Sequence, residues 1–139
     1  MERFIDASNL VLGRMCTHLA KRLLLGDTLK VVNCENAVIS GKRNNVVKDY
    51  NETRARGQPT KGVFFPRRPD LFVKRTVRGM LPYKQERGKT ALSHLVCFIG
   101  VPEEAQAKKF ETLEAAASSK LVGARISVKE LCHLLGGKV

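Results

Sequence analysis

The chain has 139 residues and a mass of 15.5 kDa, and its 25 Lys+Arg against 13 Asp+Glu give a net charge of +12 with 43% of residues hydrophobic. That length predicts one domain over 1–139, and the balance of apolar and charged residues excludes a chain disordered throughout. No apolar run approaches the roughly 18 residues of a membrane span, and Met1 to Arg14 has no apolar core before a small-residue cleavage site, so a cytoplasmic chain without a signal peptide is expected.

Arg3 to Ala7 reads as a short strand closed by the polar pair Ser8-Asn9. Leu12, Met15, Cys16, Leu19, Ala20, Leu23 and Leu24 then recur at the 3.6-residue period. This predicts an amphipathic helix with Arg14, Lys21 and Arg22 off the stripe and Gly26 as its left-handed cap. Leu29 to Cys34 reads as a buried strand, and strand-helix-strand is a βαβ unit, which requires a parallel pair.

Ala37 to Ser40 continues apolar, and a modest helix is expected over 43–54. Arg56 to Pro69 (RGQPTKGVFFPRRP) holds three prolines and two glycines and reads as a loop. Loops of that length inside compact domains are usually functional. Pro69 and Asp70 suit the first turn of a helix reaching Leu81, with Val73, Val77 and Met80 inward and Lys74, Arg75 and Arg78 outward.

A turn at Arg87-Gly88-Lys89 is expected to precede a strand from Leu95 to Ile99, closed by Gly100 and Pro102. Pro102 to Lys120 has a helical composition with a weak stripe of Ala107, Phe110, Leu113 and Ala117. Ser127 to Glu130 is a capping box that opens a last helix through Leu131, Leu134 and Leu135, ending at Gly136-Gly137.

The charge is concentrated. Residues 1–41 hold five basic and four acidic side chains, 90–139 hold six and five, and 42–89 hold fourteen and four, so the middle third carries +10 of the +12. A solvated mixed-sign face would interleave acids at i+3 or i+4. This segment mostly does not, so an anionic partner is expected. A membrane-surface helix fits less well, because Gly57, Pro59, Gly62, Pro66 and Pro69 interrupt any long amphipathic run.

Nucleic acid fits better. Arginine outnumbers lysine in the segment, and its fork grips two phosphate oxygens or stacks on a base. Arg67-Arg68 lies between two prolines, and Phe64 and Phe65 precede it. One of these rings is expected to anchor the loop in the core, leaving the other free to meet a base. No helix-turn-helix, zinc finger or zipper pattern accompanies the charge, so structured RNA is favoured over a DNA-reading role.

Chemistry-bearing constellations are sparse. Cys16, Cys34, Cys97 and Cys132 are widely and irregularly spaced and form no C-x-x-C or H-x-x-x-H pattern with His18, His94 and His133. They read as reduced core residues rather than as zinc ligands or disulfides. Gly88-Lys89-Thr90 resembles the end of a phosphate-binding loop, but Tyr83 stands where that loop needs its first glycine. A nucleotide-processing enzyme using Cys97 or His94 remains the rival reading, though no nucleophile elbow or carboxylate pair supports it.

Two sets of residues resemble a known family. Ile5-Asp6-Ala7 with Leu12-Gly13-Arg14, then Val31-Val32-Asn33-Cys34-Glu35 leading to Ile39-Ser40-Gly41-Lys42, is similar to the opening of the universal large-subunit ribosomal protein of the L-thirteen family. Arg75-Thr76-Val77-Arg78-Gly79-Met80-Leu81-Pro82 with Arg87-Gly88 resembles that family's most distinctive internal motif. The likeness covers residues 4–102, and the 56–69 loop together with the lack of a long C-terminal extension resembles the archaeal type.

The resemblance implies a three-layer α/β/α fold about a small, mostly parallel sheet with a basic loop-helix insertion. It implies a structural part in the large subunit, with large-subunit ribosomal RNA and neighbouring ribosomal proteins as partners. No catalysis, cofactor or small-molecule substrate is implied. RNA contacts carry over to Lys42, Arg75, Arg78 and Arg87; charge alone adds Arg43, Arg54, Arg56, Lys61, Arg67, Arg68, Lys74, Lys84 and Lys89.

Overall fold

In a computed structural model, which describes residues 1–138, the apolar stripe after the first strand folds as its period dictates. Strand β1 (Glu2–Asp6) leads into helix α1 (Leu12–Leu24), whose Leu12, Met15, Cys16, Leu19, Ala20 and Leu23 are all buried, whereas Leu24, the last member of the expected stripe, is exposed at the helix end. Gly26 sits at φ 98° just past its end, and the Gly26 N–H donates back to the Leu23 carbonyl. Strand β2 (Thr28–Val32) returns parallel to β1, with Ile5 opposite Val31. The strand stops two residues sooner than its apolar run because Asn33 adopts a left-handed conformation, its amide donating to Asp6 Oδ1 at 3.0 Å, and Cys34 opens a 3₁₀ turn.

Strand β3 (Val38–Ser40) is followed by helix α2 (Arg43–Ala55), an irregular stretch, and helices α3 (Pro69–Met80) and α4 (Glu86–Ser93). Strands β4 (Leu95–Cys97) and β5 (Phe110–Glu111) complete a four-stranded parallel sheet of order β4-β2-β1-β5. Strand β6 (Arg125–Ser127) pairs antiparallel with β3 and delivers the chain to helix α5 (Val128–Leu134). There the Ser127 hydroxyl accepts the Glu130 N–H at 3.2 Å, which is the expected cap.

Alternation along the strands divides the core. Ile5, Leu29, Val31 and Leu95 face the layer of α1, α3, α4 and α5, where the main apolar cluster forms. Phe4 and Val32 face the opposite side, which is covered by Phe98 and the 3₁₀ turn Glu103–Ala105. The arrangement is α/β/α with one thick and one thin outer layer. Burying a leucine as fully as Leu19 contributes about 1.5–3 kcal/mol, so the thick layer supplies most of the apolar stabilisation.

Three expectations are corrected. Met80 points out, 42% exposed, because α3 ends there and the extended Leu81 takes the core position with Phe72, Val73 and Val77. Arg87-Gly88-Lys89 is part of helix α4 rather than a turn. The helical composition of Pro102 to Lys120 yields three 3₁₀ turns and β5 instead. In that stretch tertiary hydrogen bonds override a weak stripe: the Val11 N–H donates to Ala116 O at 2.7 Å and the Ser118 N–H to Asn9 O at 2.8 Å, while β5 adds to the free edge of β1. The four cysteines are free; Cys16, Cys34 and Cys132 are buried and Cys97 is half-buried against the main cluster.

Candidate nucleic-acid interface

The basic segment is mounted by aromatic packing. In α2, Val46 and Val47 turn to the core together with Tyr50, one helical turn on. The Tyr50 ring meets Phe72 of α3 at 5.6 Å and Phe65 of the loop edge-on at 5.4 Å. Burial raises the Tyr50 hydroxyl above its ordinary pKa. The Arg75 guanidinium lies 4.5 Å from the centre of the Phe65 ring and donates to the Phe64 carbonyl oxygen. Phe65 is thus the anchoring ring, and Phe64 is left 69% exposed.

The loop closes on itself before these rings. The Gly62 N–H donates to Gln58 O at 2.6 Å, and a Cβ on Gly57 would stand 2.8 Å from the Gly62 Cα, so side chains are excluded at that crossing. Two neighbouring clefts result, both walled by Phe64, Phe65 and Leu71. One, of about 480 Å³, is rimmed by Lys74, Arg75 and Arg78. The other, of about 640 Å³, is rimmed by Arg54, Arg67 and Arg68.

Six of the expected contact residues are therefore brought together. Arg56 and Lys61 are exposed in the loop beside the second cleft. Lys42 precedes α2, Arg43 lies against α5, and Lys84, Arg87 and Lys89 belong to the 81–85 turn and α4. These are exposed too, but they do not line the two clefts.

Some cations on both sides of the segment's boundaries are paired within the chain. In the scaffold, Arg3 and Arg22 both reach Glu111, at 2.8 and 2.7 Å, and Lys30 reaches Glu2 at 2.7 Å. Glu111 is held below its ordinary pKa, chiefly by the Arg22 hydrogen bond; burial opposes this and Arg3 adds to it. Among the expected contact residues, only Arg43, Arg68 and Lys89 meet a carboxylate among the described residues, those of Glu130, Asp70 and Glu86.

Lys74 and Arg54 donate to backbone carbonyls, of Leu95 and Leu135, both at 3.0 Å. Arg78 lies 5.4 Å from the centre of the Tyr83 ring. None of these contacts cancels charge, so Arg54, Lys74 and Arg78 keep theirs uncompensated. Tyr50 and Tyr83, which position the loop and Arg78, are not among the contact residues expected from the sequence. The signal for Tyr50 was its i+4 spacing from Val46 in the 43–54 helix. Nothing local marks Tyr83.

Residues 1–104 match the family model described as ribosomal protein L13. The chain belongs to the ribosomal protein L13 family. It is 45% identical over 136 residues to the large ribosomal subunit protein uL13 of Methanosarcina barkeri, covering 96% of this chain and 97% of that one. Against the protein of the same name from Archaeoglobus fulgidus it is 46% identical over 134 residues, with 95% and 86% covered. The Sulfurisphaera tokodaii relative is 45% identical over 137 residues, with 96% and 93% covered. These relatives are archaeal, as the loop pattern implies, and the family match takes in the whole of the basic segment.

Proposed function

We propose that the protein is a structural constituent of the large ribosomal subunit, cytoplasmic, which binds and organises folded ribosomal RNA through residues 42–89 and so serves subunit assembly and translation. Neighbouring ribosomal proteins are its further partners. The observation that carries this reading is the gathering of charge: residues 42–89 hold fourteen basic side chains against four acidic ones, and six of these cations, Arg54, Arg67, Arg68, Lys74, Arg75 and Arg78, rim two adjoining clefts. The α/β body is then a rigid mount, and the loop with α2, α3 and α4 lays Arg and Lys against phosphates. The thirteen residues assigned to contact are Lys42, Arg43, Arg54, Arg56, Lys61, Arg67, Arg68, Lys74, Arg75, Arg78, Lys84, Arg87 and Lys89.

Filter binding of a large-subunit ribosomal RNA transcript over a salt series tests this. With roughly six phosphates neutralised, log K falls by about 4 to 5 for each tenfold rise in salt. A flat response removes the reading, and so does a preference for duplex DNA over folded RNA in direct competition.

A further inference from the structure

Phe64 is a large apolar ring left in solvent on a segment that is otherwise tied down. Its carbonyl is held by Arg75, the next residue packs on Tyr50, and Pro66 stiffens the chain beyond. The ring's exposure, 69%, is therefore set by the backbone around it rather than by local looseness. Beside it opens the cleft of about 480 Å³, within the size range of small-ligand sites. Phe64, Pro66, Leu71 and Leu92 make its apolar walls, and Lys74 and Arg78 stand among the cations at its edge. Among the described residues no carboxylate lines it, so its charge complements an anion attached to something flat and apolar.

We propose that this cleft receives an unpaired nucleobase of the bound RNA, stacked on the Phe64 ring, with the adjoining phosphates on Lys74 and Arg78. The inference rests on the RNA-binding reading above and adds to it the kind of RNA element recognised. A duplex keeps its bases stacked on one another and offers no free face, so the occupant is a bulged, looped or terminal nucleotide. Lys74 uses one donor on the Leu95 carbonyl and retains two for a phosphate. Arg78, over Tyr83, presents its fork beside the same cleft.

The probe is a large-subunit ribosomal RNA transcript titrated with the full chain and with Phe64→Ala, Phe64→Leu and Phe64→Tyr. Phe64→Ala is expected to weaken binding at least about fivefold, the loss of one base–aromatic stack. Phe64→Leu, which keeps apolar bulk without a π-face, is expected to weaken it as well, and Phe64→Tyr to restore it. Salt slope and melting temperature should stay at the wild-type values, because the ring neither carries charge nor fills the core. Wild-type affinity in Phe64→Ala or Phe64→Leu overturns the stacking proposal and leaves phosphate binding standing, with the cleft then open to a protein neighbour. Failure of the wild-type chain itself to bind overturns both readings.

Discussion

Replacing Gly88 with alanine sets helix propensity against packing. Gly88 is buried in the first turn of α4, where a Cβ would stand 2.0 Å from the Pro82 carbonyl oxygen, 2.3 Å from its carbon and 2.9 Å from the Tyr83 nitrogen. All three are backbone atoms, so no rotamer change clears them. The turn at 81–85 must move by about 1 Å to restore even a tight contact of 3.0 Å.

In an exposed helix interior the same change gains about 1 kcal/mol. Overpacking costs typically about 1–3 kcal/mol, and unyielding backbone places Gly88→Ala at or above the top of that range. A net loss of about 2 kcal/mol is expected. At this chain length that is a fall of roughly 6–10 °C in melting temperature by circular dichroism or calorimetry. Because Tyr83 sits in the displaced turn beneath Arg78, RNA affinity should fall with it. An unchanged or raised melting temperature would refute the packing argument and leave propensity in command.

Two further outcomes follow from the charge arrangement. Arg75→Lys keeps the charge but loses the flat stack on Phe65, worth about 0.5–1 kcal/mol, and the fork's hold on the Phe64 carbonyl. Trypsin should then cut after Lys61 and Arg67 faster than in the wild type while global melting barely shifts; equal cleavage rates would show that Arg75 does not clasp the loop. Glu111, whose pKa is lowered by Arg22 and Arg3, contributes stability that is fully present above the ordinary carboxylate range and lost as pH falls through its lowered value. Glu111→Gln should therefore melt lower than the wild type at neutral pH, with the gap closing in acid; a gap constant with pH would exclude the ion pairs as its source.

The elements legible in the sequence are those whose signal is local and redundant. Seven apolar residues at one period, with Gly26 behind them, specify α1, and a matching pair of apolar runs specifies the parallel β1–β2 pair. Where the local signal was thin, a distant partner decided. The stripe from Ala107 to Ala117 gave way to pairing of Phe110 and Glu111 with Phe4 and Ile5. Gly88 suggests a turn when read alone, yet its lack of a side chain serves the close approach of Pro82 to a helix. Met80 lost its core place to Leu81 because the helix ended one residue before the apolar period did.

The same distinction applies to the interface. That residues 42–89 bind an anion is a sum over charges, and a sum is visible without coordinates. Which cation remains available is a pairwise question, settled by partners far along the chain: Glu130 for Arg43, Leu135 for Arg54, Leu95 for Lys74. The two adjacent phenylalanines show why the pairwise answer matters. Their residue type and neighbourhood are alike, but Tyr50 on one side and Arg75 on the other trap Phe65, and holding Phe65 inward leaves Phe64 outward. The anchor thus orients the exposed ring as a consequence of its own packing, so loop stability and aromatic presentation rise or fall together. Arg75 belongs to both, since its guanidinium covers the anchoring ring while its hydrogen bond fixes the backbone of the exposed one.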